Sequence, residues 1–242
     1  MSNRIDRVVI TGASSGIGFD LARRFLAEGS SVLINGRDPE KLERARRSLG
    51  AERRVVAVAG HVGEAATARA VAAAARECFG GVDVLVNNAG IFGAKRFLDS
   101  TAEDLERFFT TNVKGTYLMT QAVVPLMIEA GGGVIINVGA TLVQQAMTTL
   151  PVSAAMASKG GVHALTVSLA AELARHGIRV NTLAPGVIRT PLIDDADSLA
   201  AIHPLGRVGE VRDTSEAALF LARADFVTGA TLDVDGGYSH GR

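Results

Sequence analysis

Cys78 is the single cysteine among 242 residues. No disulfide can form within the chain, which fits a reducing compartment. Aromatic residues make up only 5%, so any core has to be built from aliphatic side chains. Neither sign of charge is in excess, because 25 Lys and Arg balance 25 Asp and Glu. That argues against nucleic acid as a partner, which calls for a basic face. It also leaves the chain to gain solubility another way, such as burying apolar faces between copies. No apolar run has membrane-spanning length, and the polar stretch Met1–Asp6 runs into a strand without the character of a signal peptide. A cytoplasmic protein with no membrane partner is expected. What the chain does have is aliphatic bulk: 48% of it is hydrophobic. At this length that suits one domain with a large core, spanning 1–242, and is short for two.

Strand and helix patterns alternate. Short apolar strands are expected at Arg7–Thr11, Ser31–Asn35, Arg54–Ala59, Val82–Asn87, Val134–Val138, Arg179–Ala184 and Thr231–Val234. Between them, helical periodicity marks Gly16–Glu28, a helix capped by Asp38-Pro39 and running to about Leu49, and an Ala-rich helix over residues 65–79. Ser100-Thr101-Ala102-Glu103 has the form of a capping box that opens a further helical region. That region leads to a longer helix at Val113–Glu129, broken by Gly131, Gly132 and Gly133. A helix at Ser153–His176 is stopped by Gly177, and a short one is expected at Ala217–Arg223. Pro185–Val211 reads as an irregular loop region. Strands of this kind without hairpin signals imply a parallel sheet covered on both faces, the Rossmann-type doubly wound α/β class.

The junction of the first strand and first helix reads Thr11-Gly12-Ala13-Ser14-Ser15-Gly16-Ile17-Gly18. Gly12 permits a tight turn. Gly16 and Gly18 let backbone approach a pyrophosphate and let the helix pack on the sheet, with the helix N-terminus facing the negative charge. Ser14, Ser15 and Ile17 belong to the same cradle. After the second strand, where an NAD site usually carries Asp or Glu, the chain has Asn35-Gly36-Arg37. Asp38 is assigned to helix capping, and Arg37 can pair with a 2′-phosphate in a forked geometry. NADP(H) is the expected cofactor.

The glycine-rich turn, Asn87-Asn88-Ala89-Gly90, Asn112 in Asn-Val-Lys-Gly, Lys159, Pro185-Gly186 and Asp233-Val234-Asp235-Gly236-Gly237 fall in an order that resembles the short-chain dehydrogenase/reductase family over nearly the whole chain. The resemblance implies that Asn88 lies near the adenosine ribose, that His61 and Val62 flank the adenine, and that Pro185, Gly186 and Thr190 reach the nicotinamide end. It also implies that Lys159 binds the nicotinamide ribose and that Asn112 holds a water. In that family a Ser and a Tyr complete the proton path. The corresponding positions here are Ala140 and Ala155.

Thr141, beside Ala140, and Ser153, at the start of the long helix, are the hydroxyls that could replace the missing groups; water held by Asn112 and Lys159 is another donor. His163 reads as a surface or interface residue. The loop Pro191–Arg207 is expected to cover the substrate. Three functional readings stay open at this point. One is an NADP-dependent oxidoreductase with an unusual proton path, reducing a small carbonyl or imine. Another is a non-reducing member of the fold, a dinucleotide-binding sensor or scaffold or a non-redox lyase or isomerase. The last is an engineered inactive variant. By resemblance, the helices at 113–129 and 153–176 form a subunit interface, where Ala164, Leu165, Ser168, Leu169 and Glu172 suit close packing, so a homotetramer or dimer is expected.

Overall fold

The computed structural model describes residues 5–191, 193 and 195–240. Leu192 and Asp194 of the expected substrate loop, and most of the polar N-terminal stretch, lie outside these. Seven strands form one parallel sheet: β1 (Arg7–Ile10), β2 (Ser31–Gly36), β3 (Val55–Ala59), β4 (Val84–Asn87), β5 (Gly133–Val138), β6 (Ile178–Pro185) and β7 (Thr231–Val234). Their spatial order is β3-β2-β1-β4-β5-β6-β7. The order reverses between β1 and β4, which opens a crevice beyond the carboxyl ends of these strands.

Alternation along each strand divides the core into two layers. Val8, Ile10, Val32 and Ile34 pack on one face with Leu21 and Phe25 of α1 (Gly16–Ala27) and Leu219 of α7 (Val211–Arg223). Val9, Leu33 and Leu85 pack on the other with Val71 of α3 (Ala65–Phe79) and Met119 and Val123 of α5 (Gly115–Glu129). With both faces covered, the strands read as continuous apolar runs.

Several expected boundaries shift for identifiable reasons. The capping box is built one residue later than expected: at the start of α4 (Ala102–Phe108), Thr101 Oγ1 accepts from Asp104 N (3.3 Å) and Asp104 Oδ2 from Thr101 N (3.1 Å). Ser100 is drawn off by donating to the Arg96 carbonyl (3.0 Å). α7 begins at Val211, six residues before the periodicity suggests, because the first buried residues on its inner face are Thr214 and Ser215. Ser215 donates to buried Asp20 (2.6 Å), so hydroxyls do the packing there. α2 (Pro39–Ser48) starts as expected, with Asp38 accepting from Lys41 N (3.0 Å). The helix expected from Val113 is preceded by a π-helical segment, Phe109–Lys114. The long helix α6 (Ser153–Leu173) tightens into a 3-10 turn, Ala174–His176, before Gly177.

Candidate active site

A cavity of about 690 Å³ lies at the crevice. The glycine-rich turn forms one wall. Gly12 has φ +63°, and a Cβ there would stand 2.7 Å from Ala89 Cα, so the turn tolerates only glycine. Asn88 clamps it from β4, donating Nδ2 to the carbonyls of Thr11 (2.9 Å) and Gly12 (3.0 Å). Ser14, Ser15, Gly16 and Ile17 line the cavity. Gly18 does not; it sits behind the turn, where a Cβ would come within 2.5 Å of the Gly12 carbonyl. Ser15 is the N-cap of α1 but makes no side-chain cap bond, which leaves first-turn N–H groups for an anion.

The far end of the cavity is basic. Arg37 lines it beside Gly36 and Ser14, and Lys41, one turn into α2, lines it too. Sequence reasoning passed over Lys41, since a lysine on an exposed helix is ordinary; its distance of four residues from Arg37 was the available signal. Asp38 faces back into its own helix, and the Lys41 backbone N–H holds its carboxyl below the usual range. Val62 lines the cavity, whereas His61 does not. The His61 ring is taken up locally: Nδ1 accepts from Gly63 N (3.0 Å), which leaves Nε2–H for Thr111 Oγ1 (3.4 Å). Of the two residues expected to flank an adenine, only Val62 presents to the cavity.

At the other end stands Lys159. Its Nζ donates to the Val138 carbonyl (2.7 Å), and burial pushes its pKa down to about 8. Ala140 lines the cavity without a hydroxyl. Ala155 does not line it at all: it is 1% exposed and packs with Phe108, Val152 and Leu150. Met156, three residues before Lys159, presents to the cavity instead.

The other expected proton carriers are placed differently. Thr141 lines the cavity, but its hydroxyl donates to the Pro185 carbonyl (3.2 Å). Ser153 is exposed, does not reach the cavity and forms no helix cap, so it is withdrawn as a candidate. Asn112 sits in the π-helical segment, buried. Oδ1 accepts from Ile91 N (2.8 Å), and Nδ2 donates to Ile91 O (3.1 Å) and Ser158 Oγ (2.8 Å). It ties the loop after β4 to the residue before Lys159, a positioning role; both amide hydrogens are used, and Oδ1 keeps a second lone pair. π-helical turns often mark such sites.

His163, expected at a surface or interface, is half-buried against the end of β5. Its Nε2 accepts from Ala140 N (3.4 Å), and a Cβ on Gly139 would come within 2.3 Å of that nitrogen. Burial, then the neighbouring Lys159 charge, lowers the His163 pKa and keeps the ring neutral.

The segment after β6 closes the cavity. Pro185, Gly186 and Thr190 line it, as do Ile193, Leu199 and Ile202 from the expected substrate loop, where Asp197–Ile202 forms a 3-10 turn. Asp197 points to Arg189 (2.8 Å) on the outside. Tyr238 and His203, separate in sequence, meet here with ring centroids 6.2 Å apart, and both line the cavity. The arrangement fits a nicotinamide dinucleotide. An uncapped helix N-terminus and close-approach glycines suit the pyrophosphate, and two cations stand where the adenosine ribose would lie. A half-buried amine stands at the other end.

Comparison with known proteins agrees. The family model described as "Enoyl-(Acyl carrier protein) reductase" matches residues 12–239. Galactitol 2-dehydrogenase (L-tagatose-forming) of Cereibacter sphaeroides is 38% identical over 245 residues, covering 95% of this chain and 93% of the relative. The crystal structure of a short-chain type dehydrogenase/reductase from Mycobacterium marinum superposes with a TM-score of 0.93 at 33% identity, over 98% of this chain and 96% of that one. The 3-ketoacyl-(acyl-carrier-protein) reductase of Brucella melitensis, solved with NADH, gives 0.90 at 37% identity, over 98% and 100%. A nucleotide crevice at the strand-order reversal, matched across its length by dehydrogenases, places this chain in the short-chain dehydrogenase/reductase family, as an oxidoreductase on a dinucleotide-binding fold.

Proposed function

We propose that this protein is an NADP(H)-dependent carbonyl reductase, or alcohol dehydrogenase in the reverse direction, in which Lys159 itself holds the proton exchanged with the substrate oxygen. A bound nicotinamide supplies the hydride in reduction and takes it up in oxidation. The observation that supports the reading is Lys159 at the cavity wall, half-buried, with alanine at 140 and 155. Only one of its N–H groups is taken, by the Val138 carbonyl, so two remain for a substrate oxygen or a ribose hydroxyl. An acid whose pKa lies near the working pH is well matched to proton transfer. Arg37 and Lys41 support the 2′-phosphate form of the cofactor, and Asn112 orients the helix that carries Lys159.

Reduction of a C=N bond is the second reading, since a substrate that arrives protonated needs no acid. No carboxylate lines the cavity among the described residues, so an iminium would meet Lys159 without a counter-charge. This favours the neutral carbonyl. A purely sensing role needs less of the nicotinamide end than Lys159, Asn112 and Thr190 together provide. A homotetramer or dimer in the cytoplasm is part of the same proposal.

The test is the pH profile. Reduction needs the ammonium form, so kcat falls as pH rises through about 8. Oxidation needs the free amine and rises over the same range. Lys159→Met removes the step and should cost roughly a hundred- to ten-thousand-fold in kcat, with NADPH binding followed separately by fluorescence. Full turnover by Lys159→Met, or profiles flat through this range, would overturn the assignment.

A further inference from the structure

The walls of the cavity differ in character from end to end. Its cationic side chains are Arg37 and Lys41 at the nucleotide end and Lys159 at the reactive end. Beyond Lys159 the wall is Leu142, Met147, Leu150, Met156, Leu199 and Ile202. The polar residues among them have turned their donors inward. Tyr238 Oη donates to the Gln145 carbonyl (3.1 Å), and Thr141 to that of Pro185 (3.2 Å). His203 is used at both nitrogens, with Nδ1 3.2 Å from the Leu199 carbonyl and Nε2 accepting from Val187 N (3.3 Å). What Tyr238 and His203 offer a substrate is therefore ring surface. Thr149 lines this end with no hydrogen bond to its hydroxyl among the described residues. Asp197 and Glu210 are both held by Arg189 (2.8 and 2.9 Å), and neither lines the cavity.

Resting on the carbonyl-reductase reading, we propose that the substrate is an uncharged, largely hydrocarbon ketone or its secondary alcohol. It would carry one oxygen at Lys159 and at most one further polar group, opposite Thr149. A polyhydroxylated substrate would bury hydroxyls against aliphatic walls whose donors are already spent, and each unpaired group costs about 1–3 kcal/mol. A carboxylate or phosphate remote from the carbonyl would be desolvated with no cation to receive it. An apolar ring system loses only its contact with water on entering.

The experiment uses the full chain with three probe ketones: 1-decalone, a polyhydroxylated ketose, and an anionic keto acid whose carboxylate lies several carbons from the carbonyl. Turnover is followed with NADPH, and binding is followed independently by thermal shift of the NADP⁺-saturated protein. We expect kcat/KM for decalone to exceed that for either polar probe by roughly a hundredfold or more, as two unpaired groups imply. Decalone alone should raise the melting temperature. Ile202→Arg places a cation on the apolar wall and should narrow the gap for the remote keto acid while weakening decalone. Decalone binding without turnover would uphold this inference and overturn the proposed reaction. Turnover of the ketose or the remote keto acid at or above the decalone rate would overturn the inference and leave the reaction standing. Failure of decalone to bind would also overturn it.

Discussion

Arg37 and Lys41 act as single residues. Both line the nucleotide end of the cavity, and the nearby carboxylate, Asp38, is occupied as the cap of α2. A charge-assisted bond to a phosphate is worth about 1.5–3 kcal/mol. Arg37→Ala and Lys41→Ala should therefore each raise the KM for NADPH roughly ten- to a hundredfold, with much smaller effects on NADH. A wild-type protein that prefers NADH would refute the role. Arg37 was legible in the sequence because the end of the second strand is where the adenosine ribose is read. Lys41 was not, since its approach depends on the angle at which α2 leaves the strand. Tyr238 was invisible for a stronger reason: 79 positions separate it from Lys159, and only the closure of β7 beside β6 brings it to the same cavity.

At the scale of elements, α6 meets the end of β5 at one tight point. The Gly139 Cα faces His163 and Thr182, and a Cβ there would approach Nε2 to 2.3 Å and Thr182 Cγ2 to 2.7 Å. Gly139→Ala should destabilise by about 1–3 kcal/mol through overpacking. His163→Ala in the same chain should recover part of that loss, because Thr182 still intrudes, and denaturant titration of the four proteins measures the coupling. Additive losses would show that the two residues do not share this contact. The same histidine gives the fold a pH dependence. Its folded pKa is depressed by burial and by Lys159, so below about 6.5, its unfolded value, the unfolded chain binds a proton that the folded one resists. Stability should fall as pH drops through this window, and His163→Ala should flatten that slope. Gly139 and His163 looked unrelated along the chain. The π-helical segment was hidden too, since apolar periodicity runs unbroken into α5 and the extra residue per turn follows from Asn112 bonding to Ile91 and Ser158.

The molecule as a whole leaves apolar side chains on the helices expected to meet a neighbour. Val167 of α6 is 60% exposed and Tyr117 of α5 51% exposed. With no net charge to keep chains apart, these faces should be covered by a second copy. Light scattering after gel filtration should give a multiple of 25.1 kDa, and Val167→Arg should shift the protein to smaller species. A wild-type mass of one chain would exclude the oligomer. Among the described residues no helix is long and apolar enough to cross a membrane.

The sheet, its parallel sense, the glycine-rich turn and the alanines at 140 and 155 were legible from the chain alone. These depend on short-range physics: strand alternation, glycine's freedom of φ, and helix capping act within a few residues. Tertiary structure decided what surrounds Lys159. It turned Met156 rather than Ala155 toward the cavity, kept Ser153 outside, engaged Asn112 with Ile91 and Ser158, and moved His163 from the expected surface to the end of β5. Side-chain direction around a helix and the partners of a buried polar group depend on what packs from elsewhere in the chain, and no local pattern encodes that. The proposed chemistry rests on those long-range contacts, which hold a half-buried lysine beside an apolar chamber.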